Sequence, residues 1–205
     1  MVVKKIILDI WPSMWPMLVF ISVVAISIRG AYLFKGSKKF ILHKELMSLV
    51  FILYILCLHY ILTYRDTTIT GVNLVPFKEM FRYTFGSYKF MKNIVGNILL
   101  FLPFGFFVSN YINSKKAITP VIVTLSVSFA AEAIQYYVGR VFDIDDIILN
   151  VLGGFLGFLL YIALSAVKNR LPNFMKSDVF INIIVIVIVV LIVLFSMGIN
   201  IFSYL

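Results

Sequence analysis

The chain has 205 residues, of which 62% are apolar and only 13% are charged, and its formal net charge is +9. Soluble domains carry about a quarter charged residues, so this composition excludes an ordinary water-soluble fold and indicates a protein whose natural solvent is lipid. The lysines and arginines lie between apolar runs, where they set membrane topology, so we expect membrane lipids rather than nucleic acid as partners.

Apolar runs of about 20 residues predict the transmembrane helices. A single cysteine, Cys57, excludes an intramolecular disulfide bond and any metal site built on a pair of cysteines. We therefore expect an all-α fold, a polytopic membrane helical bundle of about six transmembrane helices. The six predicted helices cover residues 11–28, 46–63, 93–112, 117–138, 147–167 and 180–205.

The connections between these helices suggest three parts of the chain. Residues 1–63 hold two helices with a basic connection, 64–167 hold a long loop and three helices, and 168–205 end in one hydrophobic helix. The short connections around the fourth helix predict that the third, fourth and fifth helices pack as antiparallel neighbours.

The distribution of lysine and arginine predicts the orientation of the chain. The connections after the first, third and fifth helices hold slightly more of these residues than the opposite side does. The positive-inside rule then places both termini and the connection 139–146 outside the cell, although Lys4 and Lys5 favour the reverse.

Polar residues concentrate at one membrane face, because consecutive helices alternate in direction. The start of the third helix, the end of the fourth and the start of the fifth share that face. We expect Asn97, Glu132, Arg140 and Asn150 to lie in one pocket, with Arg140 folding back to form an ion pair with Glu132.

Two interpretations of Glu132 remain open. A carboxylate in hydrocarbon costs at least a few kcal/mol, so it must face the bundle and find a partner there. It is then either a clamp between helices or part of a binding or catalytic site.

The acids Asp143, Asp145 and Asp146 are of the type that binds Mg²⁺ or Ca²⁺, but we favour Asp145 or Asp146 as a helix N-cap. We expect no metal and no cofactor.

Two features of the helices concern packing. Gly153 and Gly157 form a G-x-x-x-G pattern, which allows another helix to approach closely. Pro103 lies inside the third helix, where it is expected to kink or break the helix and open space near Asn97.

Four segments resemble the VanZ-like family of bacterial membrane proteins: residues 73–77, 93–105, 132–135 and 139–154. The family is named for a protein linked to low-level teicoplanin resistance. The resemblance therefore implies a cell-envelope role in a bacterial membrane, but it does not supply a reaction. The family pattern also includes Pro76, Pro103, Gly105, Gly153 and Gly154. The polar or aromatic positions of this pattern that we take as ligand-binding candidates are Asn73, Phe77, Asn97, Glu132, Gln135, Arg140, Asp143, Asp146 and Asn150.

Three functions fit these residues. In the first, the cluster binds a glycopeptide antibiotic or a lipid-linked cell-wall precursor under a lid formed by residues 73–77. In the second, an intramembrane enzyme acts on an envelope lipid, with Glu132 as general base and Asp143 and Asp146 positioning a cation. In the third, the cluster only holds helices together in a structural or partner-binding membrane protein.

Overall fold

The part of the chain that the structure describes is mostly helical. In this computed structural model the described residues are 16–31, 40–63 and 71–196, with side chains as far as residue 187. The beginning of the first predicted helix and the end of the sixth lie outside these residues. The main helices are α1 (Pro16–Ala31), α2 (Leu42–Thr63), α3 (Tyr88–Tyr111), α4 (Ile118–Tyr137), α5 (Ile144–Arg170) and α6 (Asp178–Ser196).

Four of these helices, α2 to α5, are long and apolar enough to cross a membrane. The described part of α1 has fewer than 18 residues, and the apolar part of α6 with described side chains ends at Val187. Within the described residues the structure thus supports four of the six predicted membrane-spanning helices, and the full six remain a prediction. The long exposed apolar faces of these helices are what a lipid environment requires.

Helix α3 begins earlier than the sequence predicted. Its first turn, Tyr88–Phe90, is capped by Ser87, whose hydroxyl oxygen accepts a hydrogen bond from the backbone N–H of Phe90 at 3.2 Å. A π-helical turn, Met91–Val95, then leads into the regular helix Gly96–Tyr111. The prediction began at residue 93 because Lys89 and Lys92 interrupt the apolar run. Pro103 does not break this helix.

One small sheet departs from the all-α prediction in the described residues. Strand β1 (Gly71–Asn73) pairs in parallel with β2 (Val141–Asp143), with Asn73 opposite Asp143. Each strand has three residues, which is too short to give a recognisable alternating pattern in the sequence. The sheet positions the loop between β1 and α3. Because β1 pairs with β2, and β2 leads directly into α5, this loop lies at the start of α5.

The described residues divide into two units. One is formed by residues of Met1–Leu53 and Val167–Leu205, and the other is Tyr54–Ala166. In the first unit the guanidinium of Arg29 makes two 2.6 Å contacts with the Glu45 carboxylate, joining α1 to α2. The backbone N–H of His43 donates to the Asn182 side-chain oxygen at 2.9 Å, joining α2 to α6.

The second unit contains helices α3, α4 and α5, which pack closely through glycines. A Cβ atom at Gly153 or Gly157 would overlap the backbone of α3, and one at Gly105 would overlap the backbone of α5 at Gly154. Gly154 in turn lies against the Thr124 side chain of α4. The expected close approach at the G-x-x-x-G pattern is confirmed, and the helices meet at backbone distance.

This packing predicts that Gly157→Ala destabilises the protein by about 1–3 kcal/mol, because the added methyl group meets backbone atoms that cannot rotate away. Gly96→Ala is the matched control. There the added methyl has only an ordinary contact and improves helix propensity, so stability should stay the same or rise slightly. Thermal unfolding of both variants in detergent measures the difference. Equal stability of the two variants would contradict the backbone contact.

Candidate functional site

The site is built where β1 and β2 pair, at the start of α5. Asn73 and Asp143 are opposite residues of the two strands, and the Asn73 amide nitrogen donates to Asp143 Oδ1 at 2.9 Å. The same oxygen accepts a hydrogen bond from the backbone N–H of Asp145 at 2.9 Å. Asp143 therefore caps α5, a role that the sequence analysis wrongly gave to Asp145 or Asp146. Burial raises the pKa of the Asp143 carboxyl above its ordinary value.

The Asp145 carboxylate binds the backbone of the loop between β1 and α3. It is only 1% exposed, and it accepts three backbone hydrogen bonds, from Phe77 at 2.5 Å, Glu79 at 2.8 Å and Met80 at 3.1 Å. Phe77 has a φ of 65°, in the left-handed region that non-glycine residues rarely adopt. Three charge-assisted hydrogen bonds offset the cost of this conformation. Asp145 was not among the predicted site residues, because no local sequence pattern shows which distant N–H groups reach it.

The next acid along α5 joins that helix to α3. Asp146 Oδ1 accepts a 2.5 Å hydrogen bond from the amide nitrogen of Asn97. Deeper in the unit, the Asn150 amide donates to the Ser128 hydroxyl oxygen of α4 at 2.9 Å. The Asn150 side-chain oxygen is buried without a hydrogen-bond partner among the described residues. Asn97 and Asn150 thus tie α5 to its two neighbours.

Glu132 is buried, as predicted, but its partner is not Arg140. The Glu132 side chain is 1% exposed, and its Oε2 accepts the backbone N–H of Asp143 at 3.0 Å. Arg140 Nη1 instead donates to the Leu62 carbonyl at the end of α2, at 3.0 Å, and the Gln135 amide donates to the same oxygen at 3.0 Å.

The expected Glu132–Arg140 ion pair is therefore wrong for the described residues. Gly139, with a φ of 85°, turns the chain sharply after α4. This turn directs Arg140 towards α2 and brings the Asp143 N–H of β2 to Glu132. Two separate polar contacts replace the one ion pair that sequence spacing suggested.

An open cavity of about 600 Å³ lies beside this hydrogen-bonded frame. Of the nine candidates, Asn73, Arg140, Asp143 and Asp146 line it, whereas the remaining five do not. We expected Asn97, Glu132, Arg140 and Asn150 to line one pocket, but of these four only Arg140 lines the cavity. The charged lining residues that the candidate set lacked are Glu79, Arg82, Lys89, Lys92 and Asp145. In the sequence, two lysines three residues apart before an apolar run, Lys89 and Lys92, were the pattern that could have indicated this part of the lining.

The segment between β1 and α3, residues 74–87, presents aromatic side chains outward. Phe81 is 86% exposed and Phe85 is 87% exposed, and Phe77 is also exposed although its backbone is bound by Asp145. A loop that turns aromatic rings outward suits a membrane–water interface better than water.

The described residues include no group of three or more histidine, cysteine, aspartate or glutamate side chains arranged to hold a metal ion. The carboxylates of Asp143, Asp145 and Asp146 accept hydrogen bonds from the protein. They cap α5, bind the loop between β1 and α3, and join α5 to α3. Hydrogen bonds hold this part of the chain together.

The family model described as VanZ/LLP1 matches residues 47–166, more than half of the chain. The chain belongs to the VanZ/LLP1 family. No curated protein and no solved structure matches it. The VanZ/LLP1 region includes all nine candidate residues and the complete lining of the cavity.

The polar contacts of the VanZ/LLP1 region predict which side chains depend on each other. Arg140 and Gln135 share the Leu62 carbonyl, so in the double variant Arg140→Met, Gln135→Met the loss of stability should exceed the sum of the two single losses by about 1–3 kcal/mol. The reason is that either donor alone still satisfies the carbonyl. Thermal unfolding in detergent gives the four stabilities of this cycle.

Arg140 and Glu132 share no hydrogen bond, and they provide the matched control. Only their charges interact, so the losses for Arg140→Met and Glu132→Gln should depart from additivity by less than those of the Arg140–Gln135 pair. Strong coupling of Arg140 to Glu132, with none to Gln135, would restore the ion pair and contradict the contacts described above.

Proposed function

We propose that this VanZ/LLP1 protein is a multi-pass protein of the bacterial cell membrane that binds an amphiphilic envelope molecule in its cavity. The ligand classes we propose are a lipid-linked cell-wall precursor and a glycopeptide antibiotic. Binding of either class would contribute to low-level teicoplanin resistance by changing how the drug and its cell-wall target meet at the membrane surface.

One observation carries this proposal: a charged cavity lies beside an exposed aromatic segment, at the end of helices that can span a membrane. A volume of about 600 Å³ is in the range of small-molecule sites and accommodates a polar headgroup. The neighbouring aromatic rings of Phe81 and Phe85 give an apolar surface for the hydrocarbon part of the ligand. Together they match the two halves of an amphiphile.

The proposed topology has six transmembrane helices, with α1 and α6 as the first and last. It divides the chain at residues 63 and 167, so that the central part carries the site. The cavity then faces the outside of the cell, where cell-wall precursors are incorporated into the wall and where glycopeptides arrive. The loop charges support this orientation through the positive-inside rule.

The alternative of an intramembrane enzyme has weaker support. Glu132, the proposed general base, does not line the cavity, and one of its oxygens accepts a backbone hydrogen bond. A general base must reach the proton that it removes. A purely structural role explains the inner polar contacts well, but it gives no reason for an open cavity lined by charges of both signs.

One labelling experiment tests both the orientation and the binding. Val141 lines the cavity and is exposed, so Val141→Cys in a Cys57→Ala background should react with a membrane-impermeant maleimide in intact cells. Added teicoplanin should slow this reaction several-fold, because the bound drug covers the thiol.

Two control variants separate the outcomes. Thr84→Cys is exposed on the same face but outside the cavity lining, so it should be labelled without protection. Ile112→Cys follows the opposite end of α3 and should be labelled only after permeabilisation. The reverse order of access would contradict the orientation, and equal labelling of Val141→Cys with and without the drug would contradict teicoplanin binding.

A further inference from the structure

The loop between β1 and α3 has a polar side and an aromatic side. Its polar side lines the cavity with four residues, which are Glu79, Met80, Arg82 and Tyr83. Its aromatic side consists of Phe77, Phe81 and Phe85, which follow one another at intervals of four residues. The last two of these are 86% and 87% exposed, and none of the three lines the cavity. The loop is therefore amphipathic, although only a short part of it is helical.

The aromatic side of the loop continues onto the start of a membrane-spanning candidate. The backbone N–H of Phe81 donates to the Phe77 carbonyl at 3.1 Å, and the centroids of the two rings are 6.3 Å apart. The Phe85 ring packs against the ring of Phe90, with centroids 5.0 Å apart. Phe90 belongs to the first turn of α3, which is long and apolar enough to cross a membrane. The surface that this helix offers to lipid thus extends onto the loop.

The position of the loop relative to the helix ends is fixed by hydrogen bonds. Asp145, in the first turn of α5, holds three backbone N–H groups of the loop, and β1 is paired with β2. At the same ends of the helices, Tyr88 of α3 is 50% exposed and Tyr137 of α4 is 91% exposed. Exposed aromatic residues at the ends of spanning helices mark the membrane–water interface. The loop is thus held at the level of that interface and not in the water above it.

One cation of the loop complements the phosphates found at this level. Lys78 is exposed between Phe77 and the next residues of the loop, and it lies outside the cavity lining. Its ammonium forms no hydrogen bond or ion pair within the part of the chain that the structure describes. Lysine side chains next to apolar surface extend their charge towards headgroups, and an anionic leaflet attracts them. Rings and a cation together match the acyl and phosphate layers of a lipid leaflet.

We propose that the loop is an interfacial anchor for anionic lipid. The rings of Phe81 and Phe85 insert below the phosphates of the leaflet on the cavity's side, and the Lys78 ammonium contacts the phosphates of anionic lipids. A segment with one polar and one apolar side lies in the plane of the interface, as this loop does. The proposal concerns the bilayer itself, and it holds whatever molecule the cavity binds. The cavity wall formed by this loop then lies at the level of the lipid headgroups.

Fluorescence quenching by brominated lipids tests the depth of the loop. In the full chain with Trp11→Phe and Trp15→Phe, the substitution Phe81→Trp supplies one reporter tryptophan. In phosphatidylcholine vesicles, bromines near the headgroup end of the acyl chains should quench it at least about twofold more strongly than bromines near the chain ends. Leu99→Trp, in the middle of α3 and exposed, is the depth reference and should show the reverse order.

The neighbouring residue provides a matched control. Met80 lines the cavity, and Asp145 binds only its backbone N–H, so Met80→Trp keeps that contact. This reporter should be quenched by aqueous iodide and not by brominated lipid, with folding of all variants checked by thermal unfolding. Iodide quenching of Phe81→Trp without lipid quenching would overturn the anchor. Protection of Phe81→Trp from both quenchers, lost when the protein is diluted with lipid, would also overturn it and assign the surface to a second copy of the chain.

The charge of the lipid is tested with the same reporter. At equal mole fraction, brominated phosphatidylglycerol should quench Phe81→Trp about twofold more strongly than brominated phosphatidylcholine, because Lys78 attracts anionic headgroups to the loop. Lys78→Gln should remove this difference. Lys115→Gln, in the connection after the opposite end of α3, is the control and should preserve it. Equal quenching by the two lipids before either lysine is changed would overturn the preference for anionic lipid, and a difference that survives Lys78→Gln would contradict the role of Lys78.

Discussion

The carboxylate of Asp145 holds three backbone N–H groups of a distant loop at the start of α5, and the arrangement of the cavity depends on it. A buried carboxylate is costly unless hydrogen bonds surround it, so the loop and the carboxylate stabilise each other. The backbone at Phe77 enters the left-handed region to make this possible. The same hydrogen bonds hold Glu79 and Met80 at the cavity wall. The aromatic rings of Phe81 and Phe85 in this loop remain exposed and do not line the cavity.

Around this constraint, the polar residues divide into an inner and an outer group. The inner group, with Asn97, Glu132, Gln135 and Asn150, forms hydrogen bonds between helices and outside the cavity. Buried polar groups need such partners, and removing one partner costs more than the bond itself contributes. The outer group lines the cavity with charges of both signs. Asp143 and Asp146 connect the two groups, because they line the cavity and also form hydrogen bonds within the protein.

Much of the helical organisation followed from the sequence, because apolar runs and the spacing of glycines are local signals. The helices α2 to α5 lie close to the predicted ranges, and the glycine contact at Gly153 and Gly157 was predicted from the pattern alone. The parts that failed depend on long-range geometry. The turn at Gly139 redirects Arg140 to Leu62, and nothing in the sequence near Asp145 shows that residues 77–80 will reach it. Lys89 and Lys92 were not among the predicted site residues, because charged residues were taken as the limits of each apolar run and the predicted helix therefore began after them.

Hydrogen exchange at the amides of Phe77, Glu79 and Met80 tests the central role of Asp145 most directly. In Asp145→Asn the side chain keeps its size but loses one acceptor oxygen and the charge, so these amides should exchange at least about tenfold faster. Amides in the middle of α4 should be unchanged, and Asp178→Asn, in the other unit, should leave all of them unchanged. Unaltered protection of the three amides in Asp145→Asn would contradict the account.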